Sequence, residues 1–163
     1  MARAERRLRV SHRRTRSDRG RPRVAAEVEA KLRELLLRPD KPAMREVERQ
    51  LREYCRVVGA PPIARASLYN ALERAPVPVL TWSGLSEAVQ QSLYNLSAAG
   101  ENVSPHEIPG DQVVFYAFNY GSPSAISFAS GLPWLCLHRA ERRPGWRPKS
   151  RALLQAVMKY RGI

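Results

Sequence analysis

Only two cysteines occur in 163 residues, Cys55 and Cys136. Two are too few for a disulfide framework, and neither has companions at zinc-ligand spacing. Both fall inside apolar helical patterns, where a free thiol behaves as a small buried hydrophobe. Long hydrophobic runs are also missing. The longest compact one, Val113 to Phe118, is far short of a membrane span. The Arg-rich N-terminus has no apolar stretch of the secretory kind. The expectation is a reduced, cytoplasmic protein with no membrane partner.

Catalytic sets are missing as well. The three histidines, His12, His106 and His138, have no metal-like companion four residues away. Ser104-Pro105-His106-Glu107 places a base beside an acid but near no recognisable nucleophile. The glycines form no phosphate loop, and Glu101, Glu107 and Asp111 read as solvated loop acids rather than metal ligands. No catalytic residue, metal or cofactor is expected, and the chain is not read as an enzyme.

A third absence is local. Residues 75–137 contain no lysine or arginine and have a net charge of −4, although the whole chain carries +13. The positive charge lies on either side: +8 in residues 1–23, +2 in 24–74 and +7 in 138–163. Of the 28 basic residues, 24 are arginine. Such a balance calls for a polyanionic partner. The stretch Arg3 to Arg23 is too polar to fold alone. It is either a solvated leader or an arm that lays Arg13, Arg14 and Arg16 along a phosphate backbone, releasing counterions.

Hydrophobic residues make up 44% of the chain, enough for a packed core. Val24, Val28, Leu32, Leu35 and Leu36 recur at helical spacing, which predicts a helix over 24–37 ended by Pro39. Asp40 is placed to cap a second helix, 42–58, with apolar residues from Met44 to Val58 and Gly59 as its stop. A short helix, 64–74, follows the connector Ala60-Pro61-Pro62-Ile63. Residues 77–82 read as a short edge strand and 83–98 as a helix with Leu85, Val89, Leu93 and Leu96 inside. Residues 100–110 read as a loop, and 112–120 as the clearest strand, apolar on both faces. Ser122 and Pro123 open a helical run to Arg142 that Gly131-Leu132-Pro133 must break. Pro148 opens the last helix, with Leu153, Leu154, Val157 and Met158 facing inward. The fold class is mainly α with a small β element.

Helix 42–58, a connector and helix 64–74 have the proportions of a helix-turn-helix. A reading helix must be slim near its N-terminus and carry side chains that reach base edges. With Leu68 and Leu72 turned to the bundle, Arg65, Ser67, Tyr69 and Asn70 point outward as base contacts. Arg suits guanine and Asn suits adenine. Arg45, Arg49, Arg52 and Arg56 form a stripe on the preceding helix that suits phosphates. The stretch Ala64-Arg65-Ala66-Ser67-Leu68-Tyr69-Asn70-Ala71-Leu72 resembles recognition helices of bacterial helix-turn-helix regulators. With strand 77–82 paired to 112–119, residues 24–82 are similar to winged-helix regulators, including the antitoxins of abortive-infection systems. That resemblance implies a DNA-binding transcriptional regulator, antitoxin-like, working as a dimer on double-stranded DNA and with a second protein as partner. The plainer alternative is a three-helix bundle with a solvated arginine face.

A second basic cluster, Arg139, Arg142, Arg143, Trp146, Arg147, Lys149 and Arg151, surrounds the turn at Pro144-Gly145. Basic residues around an aromatic can track a backbone and stack a base, so an RNA-binding or ribosome-associated protein is the second reading. The alternative for this cluster is a buried Trp146 pinning the turn among solvated arginines. The third reading is an interaction module with no nucleic-acid role. The chain divides into a basic tail, 1–23, a helix-turn-helix-like unit, 24–82, and a helix-strand-helix part, 83–163. The apolar middle of that last part is either the main core or a dimer surface.

Overall fold

The computed structural model describes residues 24–94 and 107–163. The basic tail, with Arg13, Arg14 and Arg16, lies outside the described residues, as do Leu96 and most of the expected loop at 100–110.

Val28, Leu32, Leu35 and Leu36 line one side of α1 (Ala26–Leu36). They meet Val47, Leu51 and Cys55 of α2 (Met44–Val58), and Leu68 and Leu72 of α3 (Arg65–Arg74). Each fully buried leucine contributes about 1.5–3 kcal/mol relative to exposure. Gly59 closes α2 in the left-handed conformation (φ 69°), and the Ala60 N–H bonds back to Cys55 O. Asp40 does not cap α2. The N-cap is Ala43, with no side-chain bond, and Asp40 is exposed near Arg161. The reason is steric: the residue before a proline is pushed to extended backbone, so the helix starts beyond Pro42.

Beyond α3 the chain forms β1 (Val79–Thr81), a single 3-10 turn (Trp82–Gly84) and α4 (Glu87–Ser92). Next come β2 (Glu107–Pro109), α5 (Gly110–Tyr120), α6 (Pro123–Ser130), α7 (Trp134–Glu141) and α8 (Pro148–Tyr160). The described residues are mainly helical, with one two-stranded antiparallel sheet. Its register pairs Val79 with Pro109, Leu80 with Ile108 and Thr81 with Glu107. The first strand is thus where the sequence puts it. Its partner is 107–109, inside the expected loop, and not 112–119.

Residues 112–120 are helical, which corrects the strongest strand expectation. Val, Phe and Tyr favour strands, but propensity yields to packing. As α5 the segment is surrounded by α4, α6, α7 and α8. Val113, Val114, Phe115, Ala117, Phe118 and Asn119 are all buried, so no polar face survives to show a helical period. Gly110 begins α5 where a Cβ would lie 2.6 Å from Cys136 Sγ, so only glycine lets α7 come this close.

The run after Ser122 does split at Gly131-Leu132-Pro133, into α6 and α7. Ser122 Oγ accepts from the Ala125 N–H as N-cap. On α8 the inward set is narrower than expected: Leu154 is buried, whereas Leu153 is exposed.

Two hydrophobic clusters result, and α7 serves both. Cys136, Leu137 and Ala140 join the cluster around α5, while Trp134 and Leu135 complete the one under α1–α3. The Trp134 indole N–H donates to Leu36 O at 2.9 Å, and its backbone N–H donates to Pro39 O. Arg161 adds a clasp, donating to Ser130 O, Leu132 O and Pro39 O.

Candidate nucleic-acid interface

Leu68 and Leu72 anchor α3, which turns the other side of that helix to solvent. Arg65, Tyr69 and Asn70 are exposed and Ser67 is half-buried. The Arg65 guanidinium lies over the Tyr69 ring, 5.9 Å from its centroid. Its Nε is 3.1 Å from Glu48 Oε1 on α2. Between the two helices is a cleft of about 60 Å³ lined by Glu48, Leu51, Arg52, Pro62, Ile63, Arg65 and Leu68. That volume is too small for a nucleotide-sized ligand, whose pockets run to about 300–1,000 Å³. What the cleft does is bring Arg52 of the α2 stripe beside Arg65 of α3.

The four stripe arginines are all exposed, but they are not equivalent. Arg49 forks onto the Glu46 carboxylate at 2.6 and 2.9 Å, and Arg56 grips Glu53. Hydrogen bonds from Arg49 and Gln50 hold the Glu46 carboxyl down at about 2, and Arg56 lowers Glu53 in the same way. Arg45 and Arg52 have no carboxylate partner among the described residues.

The C-terminal cluster is arranged differently. Arg139 donates to Leu72 O and Ala75 O at the end of α3, and Arg142 binds Glu73. Arg143 binds Asp111 at 2.8 Å, and Arg151 binds Glu141 at 2.9 Å. Arg147 donates to Asn119 O and lies 4.4 Å from the Tyr120 ring centroid. Trp146 is half-buried, with its edge against Phe115 and its indole N–H on Ala140 O. All five arginines therefore have partners within the fold. Lys149 is exposed and has no such partner among the described residues. Gly145, at φ 89°, makes the turn that gathers the cluster.

Sequence reading missed Glu48 and the supporting role of Arg139. Their partners lie 17 and 67 residues away, and no local period links them. The burial of both cysteines was legible from their apolar helical patterns, whereas that of His138 was not. Burial pushes the Cys136 thiol up to about 12 and lowers His138 below its ordinary value. No group of three or more metal-ligating side chains occurs among the described residues, and no helix there is long and apolar enough to cross a membrane. Compared with protein-family models, curated proteins and solved structures, the chain finds no match.

Proposed function

We propose that the chain binds double-stranded DNA, inserts α3 into the major groove and acts as a transcriptional regulator. The observation that carries this reading is the arrangement of α3. Its apolar side is fixed by Leu68 and Leu72, while Arg65, Tyr69 and Asn70 are exposed on the other side, with Arg52 across the cleft. Arginine and asparagine offer bidentate donors to guanine and adenine, and Arg45 and Arg52 offer charge to phosphates. The element order gives only partial support: an antiparallel strand pair follows the three helices as in a winged-helix unit, but a 3-10 turn and α4 stand between its two strands.

The RNA-binding alternative draws less support, because the arginines of the C-terminal cluster are engaged inside the fold. One reading helix supplies limited affinity, so the protein works as a homodimer on paired half-sites. A second protein bound to the same chain would make it antitoxin-like.

The test is fluorescence anisotropy of the full chain. The probes are a labelled duplex from upstream of its own coding region, a scrambled duplex and a single-stranded RNA, each across a salt series. Preference for the upstream duplex that persists as salt rises supports the reading. Equal, steeply salt-sensitive binding to all three probes overturns it.

A further inference from the structure

Glu48 is an unusual neighbour for a surface meant to meet phosphates. It sits on the cleft side of α2, and its Oε1 is buried with no aligned hydrogen bond. A buried carboxylate oxygen needs compensation, and the compensation here is charge from Arg65 Nε at 3.1 Å. Tyr69 lies against the same guanidinium from α3. Arg65 thus keeps its side chain largely exposed while Glu48 stands at its Nε and Tyr69 lies beneath its guanidinium.

From this geometry we infer that Glu48 is a positioning residue that orients Arg65 to read a guanine. The inference rests on the DNA-binding reading. A guanidinium has five N–H donors in a fixed fork. With Nε engaged by Glu48, the two terminal nitrogens are the donor pair that matches the O6 and N7 acceptors of guanine in the major groove. A long arginine that was free to rotate would give up more rotamer freedom on docking. Glu48 lowers that loss, and it also repels phosphates from the cleft. It therefore favours base reading over indiscriminate backbone binding, and the two effects carry opposite signs on a nonspecific duplex.

The experiment is selection of duplexes from a random library by the full chain, followed by anisotropy on the enriched and scrambled duplexes. The wild type is expected to enrich a position occupied by guanine, and Arg65→Lys and Arg65→Ala to lose that preference. Glu48→Gln should cut the guanine preference at the same position about fivefold or more, within the range of one bidentate contact. Its binding to the scrambled duplex should not fall, a combination that general loss of structure cannot produce. Glu48→Asp keeps the charge but is one methylene shorter, and should show the same loss if the Gln variant does not fold. Full guanine preference in both Glu48 variants, at a position that the Arg65 variants lose, overturns the inference and leaves DNA binding standing. A wild type that enriches no sequence overturns both.

Discussion

The guanidinium of Arg139 on α7 donates to the carbonyl oxygen of Leu72, in the last turn of α3, at 2.9 Å. The same group reaches Ala75 O at 3.2 Å, and its neighbour Arg142 binds Glu73. A cation at a helix C-terminus satisfies orphan carbonyls and opposes the negative end of the dipole. The C-terminal end of α3, whose other side is exposed, is thus held by the C-terminal part of the chain. Arg139→Ala should destabilise the fold by about 1.5–3 kcal/mol, the range for hydrogen bonds to a charged group. Urea unfolding measures it. Arg139→Lys, with one ammonium in place of the fork, should recover only part of the loss.

Gly110 and Cys136 form a tight crossing of α5 and α7. A Cβ on residue 110 would lie 2.6 Å from Cys136 Sγ and 3.0 Å from Pro78 O. Gly110→Ala should cost about 1–3 kcal/mol through overpacking. Adding Cys136→Ala removes the nearer clash but not the one with the backbone. The double variant should therefore be more stable than the sum of the single effects, and a double-mutant cycle by chemical denaturation reads that coupling.

His138 makes stability depend on pH. It packs against Trp134, with 5.6 Å between ring centroids, and its Nε2 is buried without a partner. Burial lowers its pKa first, then Arg142, with Lys41 and Arg139 adding to this and Glu73 opposing it. The folded pKa thus lies below the ordinary 6.5, and the unfolded chain takes up the proton first. Stability falls as pH drops below 6.5 toward the folded value. The lowered carboxyls Glu73 and Glu141 start from 4.5 and enter only at lower pH. Melting temperatures from pH 7.5 to 5.5 should decline in the wild type and flatten in His138→Gln.

On the α2 stripe, the internal pairing sets a ranking. Arg52 has no described carboxylate partner, whereas Arg56 is bound to Glu53. Arg52→Ala should weaken every duplex similarly and reduce the salt slope by about 1. Arg56→Ala should change the salt slope less, because its guanidinium is already held by Glu53 and has less charge to give a phosphate. Anisotropy titrations across salt separate the two variants.

The helices at 26–36, 44–58 and 65–74 were legible because each keeps a polar side, so the apolar period stands out. The break before α7 and the start of α8 were legible because Gly131, Pro133 and Pro148 act locally. What failed was α5. Its surroundings erase the period, and Val, Phe and Tyr are common to strands and to buried helices. β2 was hidden for a related reason, since three residues ending in Pro109 carry too little pattern. At the candidate site the exposed side of α3 was readable from its own period. The clamp by Arg139 and the pairing of Glu48 with Arg65 were not, being made only by tertiary folding.

The bond from Trp134 to Leu36 O joins residues 98 apart, and Trp134 and Leu135 finish the core beneath α1–α3. On a ribosome adding about 5–20 residues per second, the first three helices, complete at Arg74, wait on the order of 3–12 seconds for that piece. Until then Leu36 and Leu68 lack a cover, and α3 lacks its rear clamp. A nascent chain therefore cannot complete the packing beneath its first three helices until α7 has been made. A stop codon just before Trp134 leaves every residue of α1, α2 and α3 encoded, yet removes the Trp134 and Leu135 side chains that close their core.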